Sequence, residues 1–409
     1  MTLLSHDDIV DIAETLLTQR FGGTQHLTEI QELGGSGSSV VLRARVSSSP
    51  FLQQRSVILK FVPVTGDALD DAALIREIAA YQFTTSLSED VRPGPMLLAH
   101  DVDKRILVIT DSGDGETFAD LLDRNDPERR VSILRNLGIA LGRMHAGTAQ
   151  RETDFNVLLS RLLRAHPETA EYQQIRETAL IQAIQIGQDL LDSAGFGLPY
   201  EVSRLADQSR ENLLSAHHRA FTPFDLSPDN IIVAERTHFL DYEWAGFRDV
   251  SFDLACVIAG FPQFLFAHPI SDEEVDVFIQ AWTREVDQLW PYVENEDHLH
   301  FQIVSALLGW ALSSVALMHF GSMSGAALNL ATGGEDFDID QIDDSGYLFR
   351  RAEDGPFKHE ELIIRRDIYE TFEALARYAA RGHGNACASI SSFSQQIADR
   401  VAKPGLPVR

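Results

Sequence analysis

Phe224-Asp225-Leu226-Ser227-Pro228-Asp229-Asn230-Ile231-Ile232-Val233, followed by Thr237-His238-Phe239-Leu240-Asp241-Tyr242-Glu243, decides how this chain is read. Four residues separate Asp225 from Asn230, Pro228 stiffens the turn between them, and a β-branched run follows at once. A second apolar run, Phe239-Leu240, ends on Asp241, so the two runs read as a short hairpin. An Asp that accepts a hydroxyl proton, with an Asn and a second Asp that hold Mg²⁺, is the side-chain set that phosphoryl transfer needs. The D-x-x-x-x-N spacing alone would arise about once by chance in a chain of this length. The flanking Pro, strand and second Asp give it its specificity. The competing reading is a hairpin with a solvated polar turn.

Outward from this stretch, 409 residues leave room for two lobes and a large core. Lys and Arg number 34 against 61 Asp and Glu, a formal charge of -27. Such a surface repels nucleic acid and anionic membranes and favours a cationic small-molecule partner, or it serves solubility alone. The two cysteines, Cys256 and Cys387, have no metal or redox spacing, and Cys256 in its apolar run reads as a small buried thiol. With an acidic amphipathic start (Asp7, Asp8, Asp11, Glu14) read as a docking helix and not a secretory leader, the expected location is cytoplasmic. Residues 301–334 contain no Asp, Glu, Lys or Arg. The interruptions at Gln302, Ser305, Ser313, Ser314 and His319 favour a buried helix over a membrane span.

Turn-punctuated apolar runs at 27–33, 39–46, 56–62, 96–101 and 105–110 predict strands, interrupted by a helix over 69–87. Beyond Pro127 the periodicity is helical apart from the hairpin, with helices expected over 127–145, 158–164, 168–194, 272–289, 297–319, 359–380 and 386–402. The expectation is an α+β chain: residues 1–111 form a small lobe with an antiparallel sheet and one helix, and 112–409 a larger, mostly helical lobe. The acidic run 335–344 reads as a solvated loop. It departs from a calcium loop at Gln341, where Gly is needed, and at Tyr347, where a bidentate Glu is needed.

A phosphate cradle is offered by Gly34-Gly35-Ser36-Gly37-Ser38 between the first two strands, where glycine lets backbone N–H groups approach oxygen; Gly35, Ser36 and Gly37 are the candidate contacts. The same residues also suit a plain hairpin turn. Lys60 lies in the apolar strand Val57-Ile58-Leu59-Lys60-Phe61-Val62, where a buried amine needs an anion. Glu77 on the next helix is its expected partner, the pair that positions ATP phosphates. Arg76 beside it is expected to be solvated. The run 106–113 reads as a strand entering an interlobe hinge, with adenine pairing to backbone groups around Thr110 and Ser112.

Over about residues 27–262 the chain resembles the aminoglycoside phosphotransferase and choline kinase group. The likeness includes Leu137-Gly138-Ile139-Ala140-Leu141-Gly142-Arg143-Met144-His145-Ala146 and the stretch from Gly246 to Asp253-Leu254-Ala255, similar to the group's G-x-x-x-x-x-D-L-A. It implies a protein-kinase-like two-lobe fold, ATP and Mg²⁺ as cofactors, and a small-molecule acceptor. It also implies that Asp253 braces the catalytic loop, while His145 reads as a satisfied core histidine. The group usually carries His two residues before the catalytic Asp; here that place is Pro223. The expected function is transfer of the γ-phosphoryl group of ATP to a hydroxyl of an aminoglycoside-like molecule, sugar or amino alcohol. Asp225 is the expected base, Asn230 and Asp241 the metal ligands, and Glu243 a further metal or substrate contact or an arginine partner. The alternative is a nucleotide-binding pseudokinase with a regulatory role.

Overall fold

The computed structural model describes residues 4–34, 39–124, 126–215, 217–262, 264, 269–321, 325 and 348–402. The candidate phosphate-cradle residues Gly35, Ser36 and Gly37 and the acidic run 335–344 lie outside them.

Helix α1 (His6–Phe21) opens the chain on a capping box, in which Ser5 and Asp8 satisfy each other's backbone donors. Five antiparallel strands follow: β1 (Leu27–Leu33), β2 (Val40–Val46), β3 (Ser56–Phe61), β4 (Leu97–Asp101) and β5 (Ile106–Thr110), ordered β1-β2-β3-β5-β4. Alternation along β3 sends Val57, Leu59 and Phe61 to one face, where they pack with Ile9, Ala13 and Leu17 of α1. This is the docking expected of the first helix. The opposite face carries Ile58 and Lys60 and meets α2 (Ala68–Thr85), whose N-cap Asp67 accepts from Leu69 and Asp70.

The remainder is mostly helical: α3 (Phe118–Leu122), α4 (Pro127–Thr148), α5 (Glu152–Ala165), α6 (Ala170–Ser193), α7 (Tyr200–Ser215), α8 (Ser251–Ile258), α9 (Asp272–Val286), α10 (Glu296–Phe320), α11 (His359–Ala380) and α12 (Asn385–Val401). Two small sheets sit within it. Strands β7 (Arg219–Thr222) and β10 (Gly246–Asp249) pair antiparallel, and β6 (Glu116–Thr117), β8 (Ile231–Val233) and β9 (Thr237–Phe239) form a three-stranded sheet. The fold is α+β, with an antiparallel N-terminal sheet and a mostly helical C-terminal part. One core runs through α2, the inward residues Leu107 and Ile109 of β5, and the helices behind them.

Helix α10 is long and apolar enough to cross a membrane by composition, yet every residue from Ile303 to Leu317 is buried among the other helices. It approaches α6 closely at Gly187, where an added Cβ would stand 2.0 Å from the Leu312 carbonyl oxygen. Strands β6, β7 and β10 escaped the sequence reading, because their runs are too short to show a period.

Candidate active site

Strand register and one helix bring the first pair together. Lys60 stands opposite Val41 and Leu107 in the sheet, pointing towards α2. Its Nζ lies 2.6 Å from Glu77 Oε1 and 2.9 Å from Asp241 Oδ1. Only 14% of the Lys60 side chain and 3% of Glu77 is exposed, so neither charge would be tolerated alone. Burial opposes the Lys60 ammonium, but the Glu77 and Asp241 carboxylates outweigh it and hold its pKa above the ordinary lysine value. Burial raises the Glu77 carboxyl against the pull of Lys60.

The β8–β9 hairpin places Asn230 and Asp241. Asn230 ends the 3₁₀ turn Pro228–Asn230, and its carbonyl accepts from Leu240 N at 2.8 Å, one residue before Asp241. Phe239 N donates to Pro93 O at 2.8 Å, and Gly94 is there because a Cβ would come within 2.2 Å of the Phe239 carbonyl. Asp241 itself has φ of 59°, a left-handed conformation that a non-glycine residue keeps only when its surroundings enforce it. Tyr242, fully buried, donates from Oη to Phe239 O at 2.9 Å and packs edge-on against Tyr81 of α2.

Asp225 follows β7 and is aimed by Phe224, also left-handed at φ 66°. The Phe224 ring stacks on Trp310 at 5.1 Å and lies 4.8 Å from the Arg248 guanidinium. This sandwich fixes the loop next to Pro223. Asp225 Oδ1 accepts from Ser227 N at 3.1 Å, and burial followed by repulsion from Asp241 raises its pKa to about 6. Asp253 departs from the expectation of bracing the loop. Its Oδ2 lies 3.1 Å from His145 Nε2, while its Oδ1 has no hydrogen-bond partner. His145 also accepts from Trp282 Nε1 at 3.0 Å, so it is a satisfied core histidine joining α4 to α9 and α8.

At the end of β5, Thr110 N donates to Met96 O and Thr110 Oγ1 accepts from Met96 N, both at 2.9 Å. Ser112 Oγ is buried without a partner. The sequence reading missed the clamp around it: Arg43 of β2 reaches Asp111 at 3.0 Å, and Ser56 donates to the same carboxylate at 2.7 Å. Polar residues on an otherwise regular strand were its only signal.

The expectation that Arg76 is solvated is overturned. Arg76 is 4% exposed, and its guanidinium reaches Gln173 Oε1 at 2.9 Å, Ala245 O at 3.0 Å and Glu177 Oε1 at 2.7 Å. Helix α2 is buried on nearly all sides, so no solvated face exists for it at this position. Glu243 is partly buried, and burial with repulsion from Asp241 raises its carboxyl. Arg176 bonds the Glu243 backbone oxygen at 3.0 Å and lies 3.6 Å over the Trp244 ring.

Asn230 and Asp241 offer oxygen donors on adjacent segments, which suits Mg²⁺, an ion that takes one or two protein ligands and completes its shell with phosphate and water. Among the described residues no group of three or more His, Cys, Asp or Glu could hold a metal ion. Lys60 supplies a buried ammonium, and Ser112 a buried hydroxyl without a hydrogen-bond partner.

A model of the phosphotransferase enzyme family matches residues 43–294, more than half of the chain. No curated protein sequence matches. Among solved structures the chain is similar to a choline kinase from Cryptosporidium parvum Iowa II, with 13% identity and a TM-score of 0.44 over 83% of this chain and 97% of that one. A choline kinase from Streptococcus pneumoniae shows 16% identity and a TM-score of 0.44 over 81% and 99%. The gentamicin–APH(2")-IIa complex shows 12% and 0.43 over 84% and 95%. All three are distant likenesses.

Proposed function

The chain belongs to the phosphotransferase enzyme family, and from that premise we propose that it moves the γ-phosphoryl group of ATP, with Mg²⁺, to a hydroxyl of a small polar molecule. The observation that carries this reading is the convergence on Lys60: a buried ammonium held at 2.6 Å by Glu77 and 2.9 Å by Asp241. Asp241 is joined through the Leu240–Asn230 hydrogen bond to the loop that carries Asp225.

In this mechanism Asp225 orients the acceptor hydroxyl and takes its proton as the oxygen attacks the terminal phosphorus and the bond to the leaving diphosphate breaks. A base with a pKa of about 6 is ionised at neutral pH yet still basic enough to accept that proton. Lys60, fixed by Glu77, meets the negative charge of the phosphates from a mostly buried position, where such an interaction is stronger than in water. Asn230 and Asp241 would hold Mg²⁺, which when bound neutralises phosphate charge. The nucleotide base is assigned to the hinge around Thr110 and Ser112. With the Thr110 N–H engaged by Met96, residues 111 and 112 supply the open groups. A net charge of -27 favours a cationic acceptor, and two unpaired cysteines suit a reducing, cytoplasmic setting.

The test is ADP release across a panel of aminoglycosides, sugars and amino alcohols. Asp225→Asn is expected to lower kcat by at least about 100-fold and to leave Mg·ATP affinity nearly unchanged. Unaltered turnover in that variant would overturn the assignment of the base.

A further inference from the structure

Helix α2 carries Glu77, so whatever fixes α2 decides whether Lys60 keeps its partner. Three residues of α6, spaced so as to share one helix face, reach towards α2 and towards the segment after Asp241. Gln173 Nε2 donates to Ala72 O at 2.6 Å, and its Oε1 accepts from Arg76 Nε at 2.9 Å. Arg176 donates to Leu69 O at 3.2 Å and to Glu243 O at 3.0 Å. Glu177 Oε1 stands 2.7 Å from Arg76 Nη1 and accepts from Arg248 Nη2 at 2.9 Å. Apolar packing of Leu69 on Ala179, Tyr172 and Ile175 closes the same contact.

From this we propose that α6 is the lock of the site: Glu177 is a positioning residue that ties Arg76 of α2 to Arg248 of β10, and so sets the Lys60–Glu77 pair and Asp241 as one unit. The charge arrangement makes the tie strong in one direction. Two buried guanidinium groups, Arg76 at 4% and Arg248 at 1% exposure, converge on a single carboxylate oxygen. Removing that negative charge leaves two like charges facing each other in a dry interface, which pushes α2 away from the Asp241 segment. Arg248 also stands over the Phe224 ring, so the same carboxylate is one step from the loop that aims Asp225. Arg76 is adjacent to Glu77, and a small rotation of α2 at this point withdraws Glu77 from Lys60. A lock of this kind keeps the pair assembled without any signal from outside, in contrast to kinases that regulate by moving the equivalent helix.

The inference rests on the reading of Lys60 and Glu77 as a phosphate-positioning pair, and its test needs neither nucleotide nor turnover. The chain has only four lysines, at positions 60, 104, 358 and 403. Acetylation by an N-hydroxysuccinimide ester, followed by peptide mass spectrometry, therefore reports Lys60 against Lys104, whose side chain is 49% exposed. In the full-length protein, without ligand, Lys60 is expected to react slowly. Glu177→Gln is expected to speed its acetylation at least about fivefold relative to Lys104, at a temperature where circular dichroism shows the variant folded. Equal Lys60 rates in variant and wild type, even with a lowered Tm, would reduce Glu177 to a stability residue and overturn the proposal. If Glu177→Gln does not fold, Gln173→Leu removes one neutral tie and is expected to speed Lys60 about twofold, with an unchanged rate again counting against the lock. Mg·ATP affinity measured on the same proteins separates the two readings. A wild type that binds no nucleotide sinks the function proposed above and leaves the lock to the acetylation result.

Discussion

Asp225 is ionised at a cost to the fold. Burial and the nearby Asp241 raise its pKa to about 6 against an ordinary value of 3.8, so between these two pH values the folded chain binds more protons here than the unfolded one. Stability contributed at this site therefore falls as pH rises through that window, and the penalty is complete above about pH 6. Allowing for its partial exposure, the penalty is on the order of 1–2 kcal/mol. Asp225→Asn keeps an oxygen to accept from Ser227 N and removes the charge. It is expected to melt above the wild type at pH 8 and to match it below about pH 4, as read by paired thermal melts. A lower Tm for the variant at pH 8 would mean that the carboxylate is stabilised, not strained. The same titration should appear in catalysis: kcat/KM for a good acceptor is expected to climb from pH 5 to 7 with an apparent pKa near 6 and then level off. Sequence spacing singled out Asp225, Asn230, Asp241, Lys60 and Glu77 because such chemistry uses few residue types at short intervals. It misjudged Arg76, since a charged residue on a helix reads as solvated unless the partner opposite is known.

At the scale of elements, two short strand pairs do what no single motif does. The β7–β10 ladder joins the strand before Asp225 to the strand after Asp241, with Thr222 opposite Gly246, and the β8–β9 hairpin fills the interval. Helix α6 then fastens this unit to α2 from the side, and its own seat depends on α10. Gly187 of α6 faces the Leu312 carbonyl so closely that a methyl group cannot fit without separating the helices. Gly187→Ala is therefore expected to destabilise the chain by about 1–3 kcal/mol despite its better helix propensity, measured as a lowered denaturant midpoint. A neutral or stabilising result would show that α6 and α10 are less closely packed than described. The strands of the first sheet and the long helices were legible in the sequence, since their apolar periods run for many residues. The three-residue strands of the hairpin were legible only because a motif flanked them.

For the whole molecule, 61 acidic against 34 basic residues set a field that acts on approach more than on chemistry. If the acceptor is cationic, kcat/KM should fall as salt rises beyond about 0.1 M, where the Debye length is roughly 10 Å, while kcat holds; a neutral acceptor should be nearly indifferent. A salt response equal for both would assign the charge to solubility. Length, the alternating early strands and the later helical periods were enough to determine an α+β chain, and the D-x-x-x-x-N hairpin was enough to single out candidate site residues, because local periodicity and short spacing are properties of sequence. Tertiary structure alone decided that Lys60, besides its expected partner Glu77, also meets Asp241 from 181 positions away, that Asp253 serves His145, and that Arg76 is clamped by Glu177. Those outcomes depend on which faces meet and on the desolvation of charges where they meet, and neither is written in the spacing of residues along one strand or helix.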